Sequence, residues 1–193
     1  IAFDRSPCAL TPWTRQHHAW LTSGAPVTVT IVRPDADDVL RADVPLLSLL
    51  APWLGTPADA LAAAIDDFSL TLRSQLDQTQ RAKALNALFE DAQAGGSLDA
   101  PRCYLDDCAA GILTAERIDG VSLSHALGVD GEPPAGIDVD RETVARKLAS
   151  AWLRQATTGR VLPFDFDLSD LRLRDNRLVL VGGALEPVTA AGR

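Results

Sequence analysis

The sequence predicts an α+β fold: a small antiparallel sheet packed on a long helix, then a mainly helical part that closes in a hairpin. Three observations carry that reading. Val27, Val29 and Ile31 alternate with Thr28 and Thr30, the period-2 pattern of a half-buried strand. Leu61, Ile65, Phe68, Leu72 and Leu76 recur every three or four residues, which puts them on one face of a helix. Near the C-terminus two apolar runs, Leu171–Arg174 and Arg177–Val181, flank the polar step Asp175-Asn176 and read as a hairpin.

The elements follow in order. Residues 1–16, marked by Pro7 and Pro12, read as irregular. His17–Leu21, the turn at Ser23-Gly24 and the strand Pro26–Val32 form a hairpin that ends at Arg33-Pro34. Asp35 starts a helix to about Leu50, and Asp35, Asp37 and Asp38 suit the positive end of its dipole. Thr56 caps the next helix with Pro57 in its first turn. Helical character continues past a break near Gln78, through Leu85 and Phe89, to Gly95-Gly96. Short strands are expected at Pro101–Leu105 and Gly111–Glu116, and a loop at Gly128–Gly136. Asp140–Thr157 is a helix whose Val144, Leu148, Ala151 and Trp152 share a core face, with Gly159 as cap. These elements divide into residues 1–120 and residues 121–193.

Composition narrows the function classes. With 193 residues, 47% apolar and 23% charged, the chain can bury a substantial core as one domain in two lobes. A net charge of -8 argues against a general nucleic-acid binder and against binding to an anionic membrane surface. No apolar run approaches the ~20 residues that span a bilayer, and Ile1 opens no signal-peptide pattern. A missing initiator Met suggests a fragment or a processed chain. Three cysteines, Cys8, Cys103 and Cys108, make no disulfide framework and no zinc spacing, so they read as reduced thiols and the location as cytoplasmic. Only Lys83 and Lys147 are lysines. His17 and His18 point to opposite faces of a strand and His125 is isolated, so all three read as structural or surface residues. Trp53, after Pro52, is the candidate interface aromatic.

The chemistry-bearing segment precedes the last hairpin. Asp165, Asp167 and Asp170 stand there together. In a phosphoryl-transfer enzyme this layout supplies a catalytic loop, a hairpin and then a metal-binding Asp. The last position here reads Gly182-Gly183-Ala184. Loop carboxylates suit magnesium or calcium, which makes Asp165 and Asp170 candidate ligands and Asp165 a candidate base. The plainer alternative is a solvated acidic turn that caps the following strand. No Gly-rich phosphate loop and no nucleophile elbow is present.

Four segments in sequence carry a family resemblance: Gly24–Pro34, Asp35–Leu50 with Ala42-Asp43 inside, Ile112–Gly120, and Gly159–Ala184. In that order and spacing they resemble the UbiB/AarF family of atypical protein-kinase-like proteins, from about Phe3 to Pro187. The resemblance implies a protein-kinase-like fold with a small N-lobe sheet on a long helix and a reduced C-lobe. It also implies ATP with magnesium, and a link to quinone and isoprenoid-lipid metabolism with membrane or lipid contact.

The departures from the family pattern fall on its chemistry. The strand Lys is Thr30, and the family's Glu-x-Asp, whose acid would be the Lys partner, reads Gln75-Leu76-Asp77. The pattern His-x-Asp-Pro-His-Pro-Gly-Asn reads Pro163-Phe-Asp-Phe-Asp-Leu-Ser-Asp170, with Asp165 at the catalytic position and Asp170 replacing the metal-binding Asn. The Asp of Asp-Phe-Gly is Gly182. No Lys-x-Gly-Gln segment is found, and Thr11-Pro-Trp-Thr14 matches the nucleotide loop poorly. Thr30, Glu116 and Asp165 are the remaining candidate nucleotide contacts. Taken with these departures, the resemblance implies a pseudokinase: no cofactor, a protein partner, and a binding, scaffold or regulatory role. Two alternatives stand beside it. One is an atypical ATPase or small-molecule phosphotransferase that uses Asp165 and Asp170 with ATP and magnesium. The other is an unrelated acidic α+β interaction module.

Overall fold

The computed structural model describes residues 2–50, 53, 58–96, 98–136, 139–158, 160–164, 166–174 and 177–187. Thr56, Pro57, Gly159, Asp165, Asp175 and Asn176, to which the sequence assigns caps, a base and a turn, lie outside the described residues.

Strands β1 (Ala2–Leu10), β2 (Thr14–Trp20), β3 (Pro26–Val32) and β5 (Ile112–Glu116) make one antiparallel sheet in the order β1-β2-β3-β5. The first strand corrects the expectation of an irregular start. All nine of its residues are exposed, so no alternation of apolar and polar residues marks it. Pro7 is tolerated because the strand lies at the sheet edge, where a missing N–H breaks no inner ladder. The register with β2 slips on either side of Pro7. Strand β2 also begins earlier than the sequence suggested, at Thr14. The β2–β3 hairpin buries Ala19, Val27 and Val29, as the alternation predicts.

Helix α1 (Ala36–Leu50) contains Pro45 and packs on α2 (Ala58–Leu76). The α2 stripe is narrower than the sequence spacing implied. Ile65 and Leu72 are buried, while Phe68 is 51% exposed. The break near Gln78 falls at Asp77, which leaves helical geometry and accepts hydrogen bonds from the N–H groups of Thr79 and Gln80 at 3.0 and 3.1 Å. That is an N-cap, and it starts α3 (Gln78–Gln93).

Ala82, Leu85 and Leu88 of α3 pack against Leu113 and Ala115 of β5 in the main core. The core continues into a second sheet, order β4-β9-β8-β6, built from β4 (Leu98–Asp99), β6 (Val121–Ser122), β8 (Leu171–Arg174) and β9 (Arg177–Leu180). Leu171, Leu178 and Leu180 are its deepest residues, and each fully buried leucine contributes about 1.5–3 kcal/mol. The expected strand at Pro101–Leu105 is instead a single bridge, Cys103 to Ala115, followed by a turn of 3-10 helix at Leu105–Asp107.

After the short helix α4 (Leu123–Ala126), α5 (Arg141–Thr158) docks through Val144, Leu148, Ala151 and Gln155. Gln155 is 1% exposed and its Nε2 donates to Asp91 at 2.9 Å. The contact line therefore passes beside Trp152, which is 45% exposed and not a core residue as expected. Strand β7 (Val161–Phe164) pairs with β10 (Ala184–Pro187), a ribbon the sequence did not suggest. Among the described residues no helix is long and apolar enough to cross a membrane.

Candidate ligand-binding cleft

The α3 cap, the β3–β5 pairing and the turn after β9 converge on one cleft. Thr30 is paired across β3 with Gln16 on β2 and Leu113 on β5. All three line a cavity of about 270 Å³, together with Gln75, Gln78 and Arg81 from the α2–α3 junction and Asp170, Gly182 and Gly183 opposite. A further cavity of about 470 Å³ continues from it toward Glu116, Arg117 and Ile118, sharing Thr30, Leu113, Asp170 and Gly182. The space between the hairpin and Thr30 is open.

Asp170 and Gly182 are sterically linked. A Cβ placed on Gly182 would lie 1.6 Å from Oδ1 of Asp170, so the carboxylate occupies the space a side chain at 182 would need. Asp170 is held there by a capping box. Its Oδ2 accepts from the N–H of Asp167 at 3.1 Å, while Asp167 accepts from the N–H of Ser169 at 2.6 Å. Burial pushes the Asp170 carboxyl above the usual carboxylate range, reinforced by the charge of Asp167 and opposed by Arg81 and the backbone N–H groups of Asp167 and Gly183. Asp167, at the surface, is held below that range by its hydrogen bonds from Ser169.

Arg81 is the residue the sequence reading missed. Neither lysine reaches the cleft, but α3 sends a guanidinium into it. Burial pulls Arg81 below its ordinary value and the charge of Asp170 pulls it back up, and both residues line the cavity. The cation that lines this cleft comes from the helix and not from the strand. A signal was present, because Arg81 falls in register with Leu85, Leu88 and Ala92, the buried stripe of α3. A charged residue in such a stripe is rarely idle.

The other expected residues sort clearly. Gln75 lines the cleft, and its carbonyl accepts from Gln78 Nε2 at 2.7 Å. Gln78 is 1% exposed, and its Oε1 has no partner among the described residues. Glu116 lines the larger cavity and is tied to Arg174 on β8 at 3.0 Å. Asp165 lies outside the described residues. His17 binds the carbonyl of Asp4 through Nδ1 at 3.0 Å and stacks on Phe3. His18 borders the larger cavity. His125 binds the carbonyl of Glu132 at 3.0 Å. Trp53 is 86% exposed.

Among the described residues Asp170 is the one carboxylate lining the smaller cavity, Gly182 offers none, and no group of three or more His, Cys, Asp or Glu could hold an ion. A hard divalent cation takes several oxygen ligands around it.

The family model of the ABC1 atypical kinase-like domain matches residues 2–183. The chain belongs to this ABC1 family. The ABC1 domain is 29% identical over 127 residues to the probable protein kinase UbiB of Pseudomonas aeruginosa, covering 63% of this chain and 24% of that protein. Against the probable protein kinase UbiB of Shewanella halifaxensis it is 30% identical over 141 residues, covering 67% and 25%. It thus spans about a quarter of these relatives. Among solved structures, Rv3197 of Mycobacterium tuberculosis in complex with erythromycin superposes with a TM-score of 0.68 at 20% identity, over 96% of this chain and 46% of that one. Rio2 kinase of Chaetomium thermophilum, as an ADP/Mg2+-phosphoaspartate complex, gives 0.52 at 11% identity, over 97% and 46%. Both share the kinase-like fold with this ABC1 domain, which agrees with the α+β, kinase-like fold expected from the sequence.

Proposed function

We propose that this domain is a kinase-like binding module that does not transfer phosphate. The carrying observation is the carboxylate of Asp170 in the space of a Gly182 side chain. A phosphoryl-transfer site needs a metal clamp and a positioned cation on the strand. Here Thr30 stands at the strand position, and the cleft holds one described carboxylate, Asp170, together with Arg81. The open cavity supports retained ligand binding, and the exposed Leu46, Leu49, Trp53, Phe68 and Leu70 of the α1–α2 region support a protein partner. The probable protein kinase UbiB relatives and the family's link to quinone and isoprenoid-lipid metabolism support a regulatory or scaffold role there. The test is incubation with radiolabelled ATP and magnesium or manganese. No phosphate transfer or hydrolysis is expected. Turnover that disappears in Asp165→Ala would establish the enzymatic alternative.

A further inference from the structure

The other flank of α3 carries a second cavity, which meets the cleft at Gln75 and Arg81. It has a volume of about 410 Å³ and lies between α3 and the β7–β10 ribbon. Ala84 and Ala87 of the helix with Val161 and Leu185 of the ribbon make its floor. The groove exists because small side chains stand where larger apolar ones would close the helix onto the ribbon. Arg81, Lys83 and Arg160 stand around it, and among the described residues no acidic one lines it.

That charge pattern is unusual for this chain. The protein carries a net charge of -8, and Lys83 is one of two lysines. Arg160 is paired with Glu90 at 2.9 Å. Among the described residues the Lys83 ammonium makes no hydrogen bond or ion pair, and the Arg81 guanidinium makes neither but feels the charge of Asp170. A cation beside an apolar wall is less well hydrated than one in open water, and a matching anion gains from the lowered dielectric. Guanidinium and ammonium groups make their strongest hydrogen bonds to carboxylate and phosphate oxygens. Apolar floor and cationic rim together specify a ligand with both characters.

We propose that this groove binds a single-chain amphiphile with an anionic head. The head is held by Lys83, Arg81 and Arg160, and the chain lies on the alanine floor. The groove shares Gln75 and Arg81 with the nucleotide-type cleft, and the inference stands whether or not that cleft turns over ATP.

Titration calorimetry on the full chain tests it, with dodecyl phosphate and dodecanoate below their micellar concentrations as probes. Dodecanol and dodecyltrimethylammonium serve as the neutral and cationic controls. One or both anionic probes bind, and the controls bind at least about tenfold more weakly. Lys83 is exposed, so Lys83→Glu leaves folding intact and weakens the anionic probes by about tenfold or more. Ala87→Phe fills the floor and removes binding while leaving all three cations in place. Three results overturn the proposal: neither anion binds, a control binds as well as the anions, or Lys83→Glu has no effect.

Discussion

Oδ1 of Asp170 stands where the side chain of Gly182 would begin, with only 1.6 Å between the oxygen and an added Cβ. The two positions therefore cannot both carry a carboxylate in this geometry. By resemblance, the family places an Asn before the hairpin and an Asp after it. Here the carboxylate has moved to the earlier position and the later one has shrunk to hydrogen. The two changes are one steric event, and by the same resemblance the double change from a strand Lys and helix acid to Thr30 and Gln75 accompanies it.

Gly182→Ala is expected to destabilise the protein by about 1–3 kcal/mol, because Asp170 must swing out and give up its cap to Asp167. In an Asp170→Ala background the same change has room. A urea double-mutant cycle checks this, and the expected coupling between the sites is at least about 0.5 kcal/mol. Additive effects would mean the two side-chain positions do not compete.

Asp170 and its neighbour Asp167 should titrate on opposite sides of the ordinary carboxylate range. Burial raises Asp170, so the folded state holds that proton more tightly than the unfolded state. Its contribution to stability is full below the unfolded pKa and is lost as pH rises through the folded one. Asp170→Asn keeps an acceptor for the Asp167 N–H but cannot ionise. Relative to the native protein, the variant should gain stability as pH rises from about 3 to about 7. Denaturation midpoints measured across that range decide the matter, and a constant difference would contradict the assignment.

Asp77 separates two helices that share a hydrophobic pattern. Asp77→Ala removes the acceptor for the N–H groups of Thr79 and Gln80. The expected loss is about 0.5–2 kcal/mol, with Asp77→Asn close to native because Asn is an equally good cap. Thermal unfolding of the three proteins side by side gives the order.

Cysteine reactivity should follow depth. Burial pushes the Cys103 thiol up to about 12 and raises Cys108 as well, whereas Cys8 is exposed on β1. Because the thiolate is the reactive form, a disulfide reagent at mildly alkaline pH should label Cys8 first, Cys108 more slowly and Cys103 last. Early labelling of Cys103 would show that the core beneath the Cys103–Ala115 bridge opens readily.

Much of the fold could be read from the chain because its signals are local. The alternation from Val27 to Ile31 marked a strand, the helical run broke near Gln78, and the runs beside Asp175-Asn176 marked a hairpin. What escaped is non-local. Strand β1 is defined by its partner and not by its own pattern, since every residue in it faces water. Strand β10 exists because Ala184 to Pro187 find β7 some twenty residues earlier in the chain. The cleft divided the same way. Thr30 and Asp170 came from sequence position, but Arg81 was hidden because a lone arginine in a helix looks like any solvated cation until its stripe is known to be buried. The clash at Gly182 is a distance between two loops, and no spacing in a sequence records it.

The slipped register around Pro7 has a consequence for how these molecules meet one another. An outermost strand offers its free amide and carbonyl groups to any passing chain. Here proline removes one of those donors midway, and the slips on both sides put the rest out of step with a straight partner. Lengthwise stacking of copies through this border is thereby discouraged, and the sheet ends at its fourth strand among the described residues.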